Sequence, residues 1–110
     1  MTVKDFANSL ELKNWTPDIG LDAAVTGGYA GDMLSWVMGR AKEGSVWMTI
    51  MSNQNVAAVA LMADVSCVVL TENVKPDDDL LEQANKKGLP VFTSSLSTYE
   101  LSYRLYTLLK

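Results

Sequence analysis

The sequence predicts an α/β protein, a three-layer sandwich in which a largely parallel sheet is flanked by helices. From Ser45 onward, strand-like and helix-like segments alternate, the order that builds a parallel sheet with crossover helices. The run Cys67-Val68-Val69-Leu70 is apolar at every position, as a strand covered on both faces must be. Pro76-Asp77 and Ser97-Thr98-Tyr99-Glu100 carry helix-start chemistry after strand-like runs. With 110 residues, 48% of them apolar, one core and a single domain over residues 1–110 are expected.

Each element has a local cause. Thr2 and Asp5 stand at capping spacing, and Val3, Phe6, Ala7 and Leu10 follow a helical period, which predicts a short first helix. Leu12 to Trp15 reads as a brief strand, and Thr16-Pro17-Asp18 with Gly20 as a turn. Ala23 to Val25 reads as a further short strand ending in Thr26-Gly27-Gly28. From Asp32, the residues Met33, Leu34, Val37, Met38 and Ala41 recur every three or four positions and predict a second helix, stopped by Gly44. Val46 to Ile50 is β-branched and aromatic, hence a strand. Periodicity alone does not separate strand from helix over Val56 to Ala63, but its alanines and an asparagine cap favour helix. Pro76 with Asp77, Asp78 and Asp79 opens the next helix, whose inner face is Leu80, Leu81 and Ala84 and whose end is Gly88. Pro90 to Phe92 is a short strand, and the last helix carries Leu101, Leu105, Leu108 and Leu109.

Composition excludes several functions. Thirteen acidic against nine basic side chains give a formal charge of −4, so nothing draws the chain toward phosphate backbones or anionic lipid. Neither nucleic acid nor membrane is expected as a partner. The longest apolar stretch, Val56 to Leu70, is broken by Asp64 and Ser66 and falls short of the about 20 residues a membrane span needs. One cysteine permits no internal disulfide, and the N-terminus lacks the order of a secretory signal, so a cytoplasmic protein is expected. The absence of histidine removes Ser-His-Asp and Cys-His nucleophile systems and every histidine-containing zinc site. No cofactor is expected.

In parallel sheets, ligands gather beyond the carboxyl ends of the strands, where helix N-termini and free amides converge. That places three loops at one edge: Ser52 to Asn55, Thr71 to Lys75 and Thr93 to Ser97. Candidate ligand contacts are Ser52, Asn53, Gln54 and Asn55, whose amides and hydroxyl can read a small polar ligand or simply cap a helix, together with Thr71 and Asn73. Thr26, Gly27 and Gly28 form a glycine-rich segment with two open readings, an anion cradle or a turn that needs positive φ at a glycine. Asp77, Asp78 and Asp79 point in different directions on a helix and suit its dipole better than a cation. Cys67 among valines reads as a small buried hydrophobe. Met33, Met38, Met48, Met51 and Met62 with Trp47 read mainly as core, while Trp36 suggests a dimer face. Tyr99, Tyr103 and Tyr106 form one stripe that either covers the sheet or joins a partner.

Taken as an ordered set, several segments resemble the DRTGG domain family. They are Val69-Leu70-Thr71-Glu72-Asn73-Val74-Lys75-Pro76-Asp77, Gly88-Leu89-Pro90-Val91, Ser97-Thr98-Tyr99-Glu100 and Arg104-Leu105. Upstream, Val25-Thr26-Gly27-Gly28-Tyr29, Asp32-Met33-Leu34, Val46-Trp47-Met48-Thr49-Ile50 and Asn55-Val56-Ala57-Ala58-Val59-Ala60 are similar to members that stand alone, so the resemblance covers roughly residues 20–109. The contiguous Asp-Arg-Thr-Gly-Gly run is absent, and Thr71-Glu72-Asn73 stands where Thr-Gly-Gly is common. The resemblance implies a small α/β module without assigned catalysis, found beside CBS modules in some pyrophosphatases, within some phosphate acetyltransferases, and in short proteins encoded near hydrogenase or histidine-kinase-like genes. It implies regulation or subunit association.

The leading expectation is a non-enzymatic regulatory or interaction module that forms a homodimer and binds a small anionic metabolite at the strand-end loops, with a signalling or redox enzyme as one kind of protein partner. A second is an adenine-nucleotide-sensing domain, and a third a small hydrolase or transferase using carboxylates or Ser and Thr hydroxyls.

Overall fold

The computed structural model describes residues 1–110. Its elements run α1 (Val3–Ser9), β1 (Lys13–Asn14), β2 (Gly27–Ala30), α2 (Leu34–Arg40), β3 (Ser45–Thr49), α3 (Asn55–Ala63), β4 (Cys67–Leu70), α4 (Asp78–Lys87), β5 (Val91–Thr93) and α5 (Thr98–Leu109). Strands β2 to β5 are parallel, β1 joins β5 antiparallel, and the sheet order is β1-β5-β4-β3-β2. This is the largely parallel α/β sheet the alternation predicts.

Strand side chains alternate between faces, and the register turns that alternation into two cores. Trp47, Val68 and Val91 are paired across β3, β4 and β5 and pack with Val37 of α2, Val56 and Ala60 of α3, and Leu80 and Ala84 of α4. Met48, Val69 and Phe92 are likewise paired and pack against Val3 and Phe6 of α1 and Leu101 and Leu105 of α5. Every residue of β3 and β4 is buried, which is why Cys67 to Leu70 carries no polar position. A fully buried side chain of this size contributes about 1.5–3 kcal/mol relative to exposure.

The chain steps from β2 to β5 across the sheet in one direction, and right-handed crossovers set α2, α3 and α4 side by side on one face. A doubly wound sheet opens a crevice where its strand order reverses. No such reversal interrupts the parallel strands here.

Several boundaries differ from the sequence reading. Thr2 caps α1 in a complete capping box with Asp5, as expected. The Ala23 to Val25 segment is no strand; Ala24 makes a single antiparallel bridge to Thr2. Gly27 and Gly28 belong to β2 rather than to a turn, and neither has positive φ. Helix α2 begins at Leu34, because the Asp32 carboxylate instead accepts hydrogen bonds from Thr49 Oγ1 at 2.8 Å and Ile50 N at 2.9 Å. It ends at Arg40, where Ala41 turns to extended backbone, before Gly44 is reached. Gly44 serves the next turn at φ +81, and a Cβ there would lie 2.5 Å from Thr26 Oγ1. The first strand covers Lys13 and Asn14 alone. At α3 the N-cap is Gln54, and the capping side chain is that of Asn53, whose Oδ1 accepts from Asn55 N at 2.9 Å.

Candidate functional site

At the carboxyl rim, the three loops do meet, and they meet by hydrogen-bonding one another. Thr71 and Thr98 share a hydroxyl–hydroxyl bond of 2.5 Å. Glu72 N donates to Leu96 O at 2.9 Å and Asn73 N to Ser94 O at 3.0 Å. Ser52 Oγ donates to Asp77 Oδ1 at 3.1 Å, and Asp77 N donates to Ser52 O at 3.0 Å. The turn Thr71-Glu72-Asn73-Val74 is closed by Val74 N to Thr71 O at 3.1 Å, with φ of 61° at Glu72 and 63° at Asn73. Two consecutive left-handed residues define the type I′ turn, which glycine and asparagine enter most easily. This accounts physically for the Gly-Gly common at these positions in the family the sequence resembles.

Glu72 has a second role. Its Oε2 accepts from Thr98 N at 3.3 Å, so the chain's own carboxylate sits on an amide at the start of α5, where the helix favours negative charge. Ser97 Oγ holds the Glu100 amide at 3.1 Å. Two donors that an external anion would use are therefore engaged internally.

Beside this closed rim lies a concavity of about 360 Å³, lined by Glu11 and Lys13, by Asn73, by Thr93, Ser94 and Ser95, and by Arg104. The Lys13 ammonium stacks 4.1 Å from the Trp15 ring, and Arg104 pairs with Glu100 at 3.3 Å on an exposed stretch of α5. Such exposed pairs contribute about 0.3–0.5 kcal/mol, so Arg104 is free to turn to an anion.

A second candidate region lies at the border of the sheet. Strand β2 ends the sheet, and between it and α5 runs a groove of about 670 Å³ lined by Gly27, Gly28, Met48, Leu105, Tyr106 and Leu109 among others. A Cβ at Gly28 would fall 2.6 Å from Leu105 Cδ2 and 3.2 Å from Met48 Cε, so a side chain there must displace both of these side-chain ends. A second concavity of about 480 Å³ is lined by Gly27, Gly28, Tyr29, Arg40, Lys42 and Glu43.

The structure thus divides the residues singled out from sequence. Thr26, Gly27 and Gly28 lie at the amino end of β2, where Gly28 pairs with Val46, far from the carboxyl rim. Gln54 and Asn55 border a concavity between α3 and α4. Of the remainder, Asn73 alone lines the concavity beside the rim, while Ser52, Asn53 and Thr71 are taken up by local hydrogen bonds. Sequence reasoning missed Lys13, Arg104, Arg40 and Lys42, because isolated cations carry no spacing signal; their number in an acidic chain is the only hint.

Other candidates resolve simply. Cys67 is fully buried, and burial pushes its thiol up to about 12. Hydrogen bonds from the Thr2 backbone and hydroxyl hold Asp5 below its ordinary value. No three His, Cys, Asp or Glu residues stand close enough to hold a metal ion. No helix is long and apolar enough to cross a membrane. Trp47 is core, whereas Trp36 is exposed with the Arg40 guanidinium 4.0 Å from its ring. Tyr99, Tyr103 and Tyr106 are 87%, 67% and 64% exposed, so the stripe does not cover the sheet.

A helix-flanked sheet with no reversal in its parallel strands and a hydrogen-bonded strand-end rim defines a small α/β domain. The family model of the DRTGG domain matches residues 29–108, and the chain belongs to that family. Its fold is similar to the crystal structure of the CBS and DRTGG domains of the regulatory region of Clostridium perfringens pyrophosphatase complexed with activator, diadenosine tetraphosphate. The TM-score is 0.71 at 16% identity, covering 94% of this chain and 45% of that one. The likeness shows the fold, and the chain spans less than half of that structure. No curated protein matches the chain.

Proposed function

We propose that residues 1–110 form one regulatory module that acts by binding rather than by turnover, and that it self-associates through α5. The carrying observation is the stripe of Tyr99, Tyr103 and Tyr106, exposed on a helix whose other face holds Leu101 and Leu105 in the core. Tyrosine rings exposed in line favour an interface, since they bury large area at small entropic cost. The DRTGG family supports a regulatory role, and the buried thiol of Cys67 supports the reading without turnover. Sedimentation equilibrium tests it: the protein is expected to dimerise, and Tyr99→Ser, Tyr103→Ser and Tyr106→Ser together to weaken the dimer by about a hundredfold. A wild-type chain that stays monomeric at millimolar concentration overturns it.

A second reading, that the module takes a small anion such as an adenine nucleotide, is favoured by the concavity holding Lys13, Arg104, Asn73 and Ser94. The Clostridium perfringens structure carries a nucleotide activator, which makes adenine nucleotides the natural first probes. Thermal shifts with AMP, ADP and diadenosine tetraphosphate test this reading, because a ligand that binds only the folded state raises its stability with concentration. Lys13→Ala with Arg104→Ala should abolish the shift; a shift unchanged in that variant, or none in the wild type, overturns it.

A further inference from the structure

We infer that the open edge of β2 is a docking strand for an extended segment of another protein, in which apolar side chains alternate with carboxylates. The inference extends the reading of the chain as an interaction module and uses a surface that meets the tyrosine stripe only at Tyr106.

Strand β2 pairs with β3 alone, so one side of its backbone has no strand partner. Edge strands are ordinarily protected by charge, proline or a covering element, and Gly27-Gly28-Tyr29-Ala30 has neither charge nor proline. Its two glycines place no side chain over the backbone. Gly28 is bare because Leu105 and Met48 fill the space a Cβ would take, whereas around Gly27 that space is empty. The edge is therefore open to another backbone.

The two concavities flanking this strand differ in chemistry. The groove toward α5 presents Met48, Leu105 and Leu109 together with Tyr106 and Lys110, whose ammonium lies 5.0 Å from the Tyr106 ring. The other presents Arg40 and Lys42 together with Glu43. An added strand sends successive side chains to opposite faces of the sheet, so one set would enter the apolar groove and the alternate set would meet the two cations. Neither cation is in an ion pair; the salt bridges of the molecule are Lys86 to Glu82 and Arg104 to Glu100. Two unpaired cations beside one acidic residue, in a chain of net charge −4, select carboxylates. A second copy paired at β2 would bring glycine, tyrosine and alanine to the edge and one Glu43 against each pair of cations, so positive charge would remain in excess.

The test uses a fluorescein-labelled, end-capped peptide alternating leucine and glutamate, and a control alternating leucine and lysine. Anisotropy and amide chemical shifts are read on the whole chain. The glutamate peptide should bind and shift the amides of Gly27 to Ala30. Arg40→Glu with Lys42→Glu should weaken it by about tenfold or more and improve the lysine peptide. Equal binding of both peptides, shifts confined to other surfaces, no binding at millimolar peptide, or indifference to the charge reversal would each overturn the inference. So would concentration-dependent shifts of the β2 amides without peptide, which would give the edge to a second copy. A variant carrying Tyr99→Ser and Tyr103→Ser, which leaves Tyr106 in the groove, separates the two proposals: it should lose self-association and keep the peptide.

Discussion

The carboxyl rim and the β2 edge are built from the same materials, short polar or glycine-rich connections beside parallel strands, and they end in opposite states. At the rim, hydroxyls, amides and the Glu72 carboxylate satisfy one another. At the edge, a strand with a neighbour on one side only lies between two grooves. The difference follows from topology. With β2 to β5 laid down in one direction and α2, α3 and α4 packed on one face, no diverging connections pry the rim open, while the first strand of the series is left at the border of the sheet. In such a fold, the place to look for a partner shifts from the strand ends to the outermost strand.

The largest effect that bears on this contrast should come from Gly28. Gly28→Val drives a branched side chain into Leu105 and Met48 and is expected to cost about 1–3 kcal/mol by overpacking. Gly27→Ala, with nothing within 4 Å, should stay within about 0.5 kcal/mol of the wild type or gain slightly. Urea unfolding of the two variants checks the pair. Equal losses would mean that α5 does not set the shape of the groove.

Cys67 lies in the sheet between the two regions and tests whether that sheet is dry. Its folded-state value, about 12, lies above the ordinary 9.0. The folded protein therefore holds the thiol proton more tightly than the unfolded chain does. This contribution is complete below pH 9.0 and declines as pH rises from there toward 12. At pH 10 the loss relative to neutral pH should be about 1.4 kcal/mol. Since Cys67→Val cannot ionise there, the stability of the two proteins should diverge above pH 9 and run parallel below it. Parallel curves throughout would show that water reaches β4.

A smaller loss is expected at the rim. Thr71→Val removes the hydroxyl bonded to Thr98 and should cost about 1 kcal/mol, because Thr98 is only partly buried and its hydroxyl can turn to water.

Which of these features could be read in the sequence depended on how local their causes were. Cys67 to Leu70 was legible because burial on both faces removes every polar residue, and α4 because Pro76, the aspartates and Gly88 act within a turn of the helix. Ser97 was legible for the same reason. Gly28 was not: a glycine reads as a turn, and what crowds this position is Leu105, distant in sequence and brought near only by packing. Asp32 has the chemistry of a helix cap, but Thr49 and Ile50 claim its carboxylate across the sheet. The gathering of the strand-end loops could be foreseen from the alternation of elements. Their closure on one another could not, since it rests on Glu72 reaching Thr98 and on a turn whose left-handed residues are not glycines.

That turn gives the smallest and most diagnostic prediction. A left-handed conformation costs an ordinary L-residue about 1–2 kcal/mol, less for asparagine, and glycine removes that strain while losing about 0.5–1 kcal/mol through the freedom of the unfolded chain. Asn73 makes no side-chain hydrogen bond across the turn, so Asn73→Gly should raise stability by about 0.5 kcal/mol or less. Glu72→Gly relieves more strain but also releases Thr98 N, an exposed bond worth about 0.5–1.5 kcal/mol, and the two should nearly cancel. Urea midpoints of the single variants separate strain from capping, because only the Glu72 variant changes both. The same variant connects the rim to function: with the carboxylate gone, the amide at the start of α5 is free. Phosphate should then bind Glu72→Gly more tightly than the wild type. Equal affinity in the two proteins would show that Glu72 closes the turn without guarding the helix end.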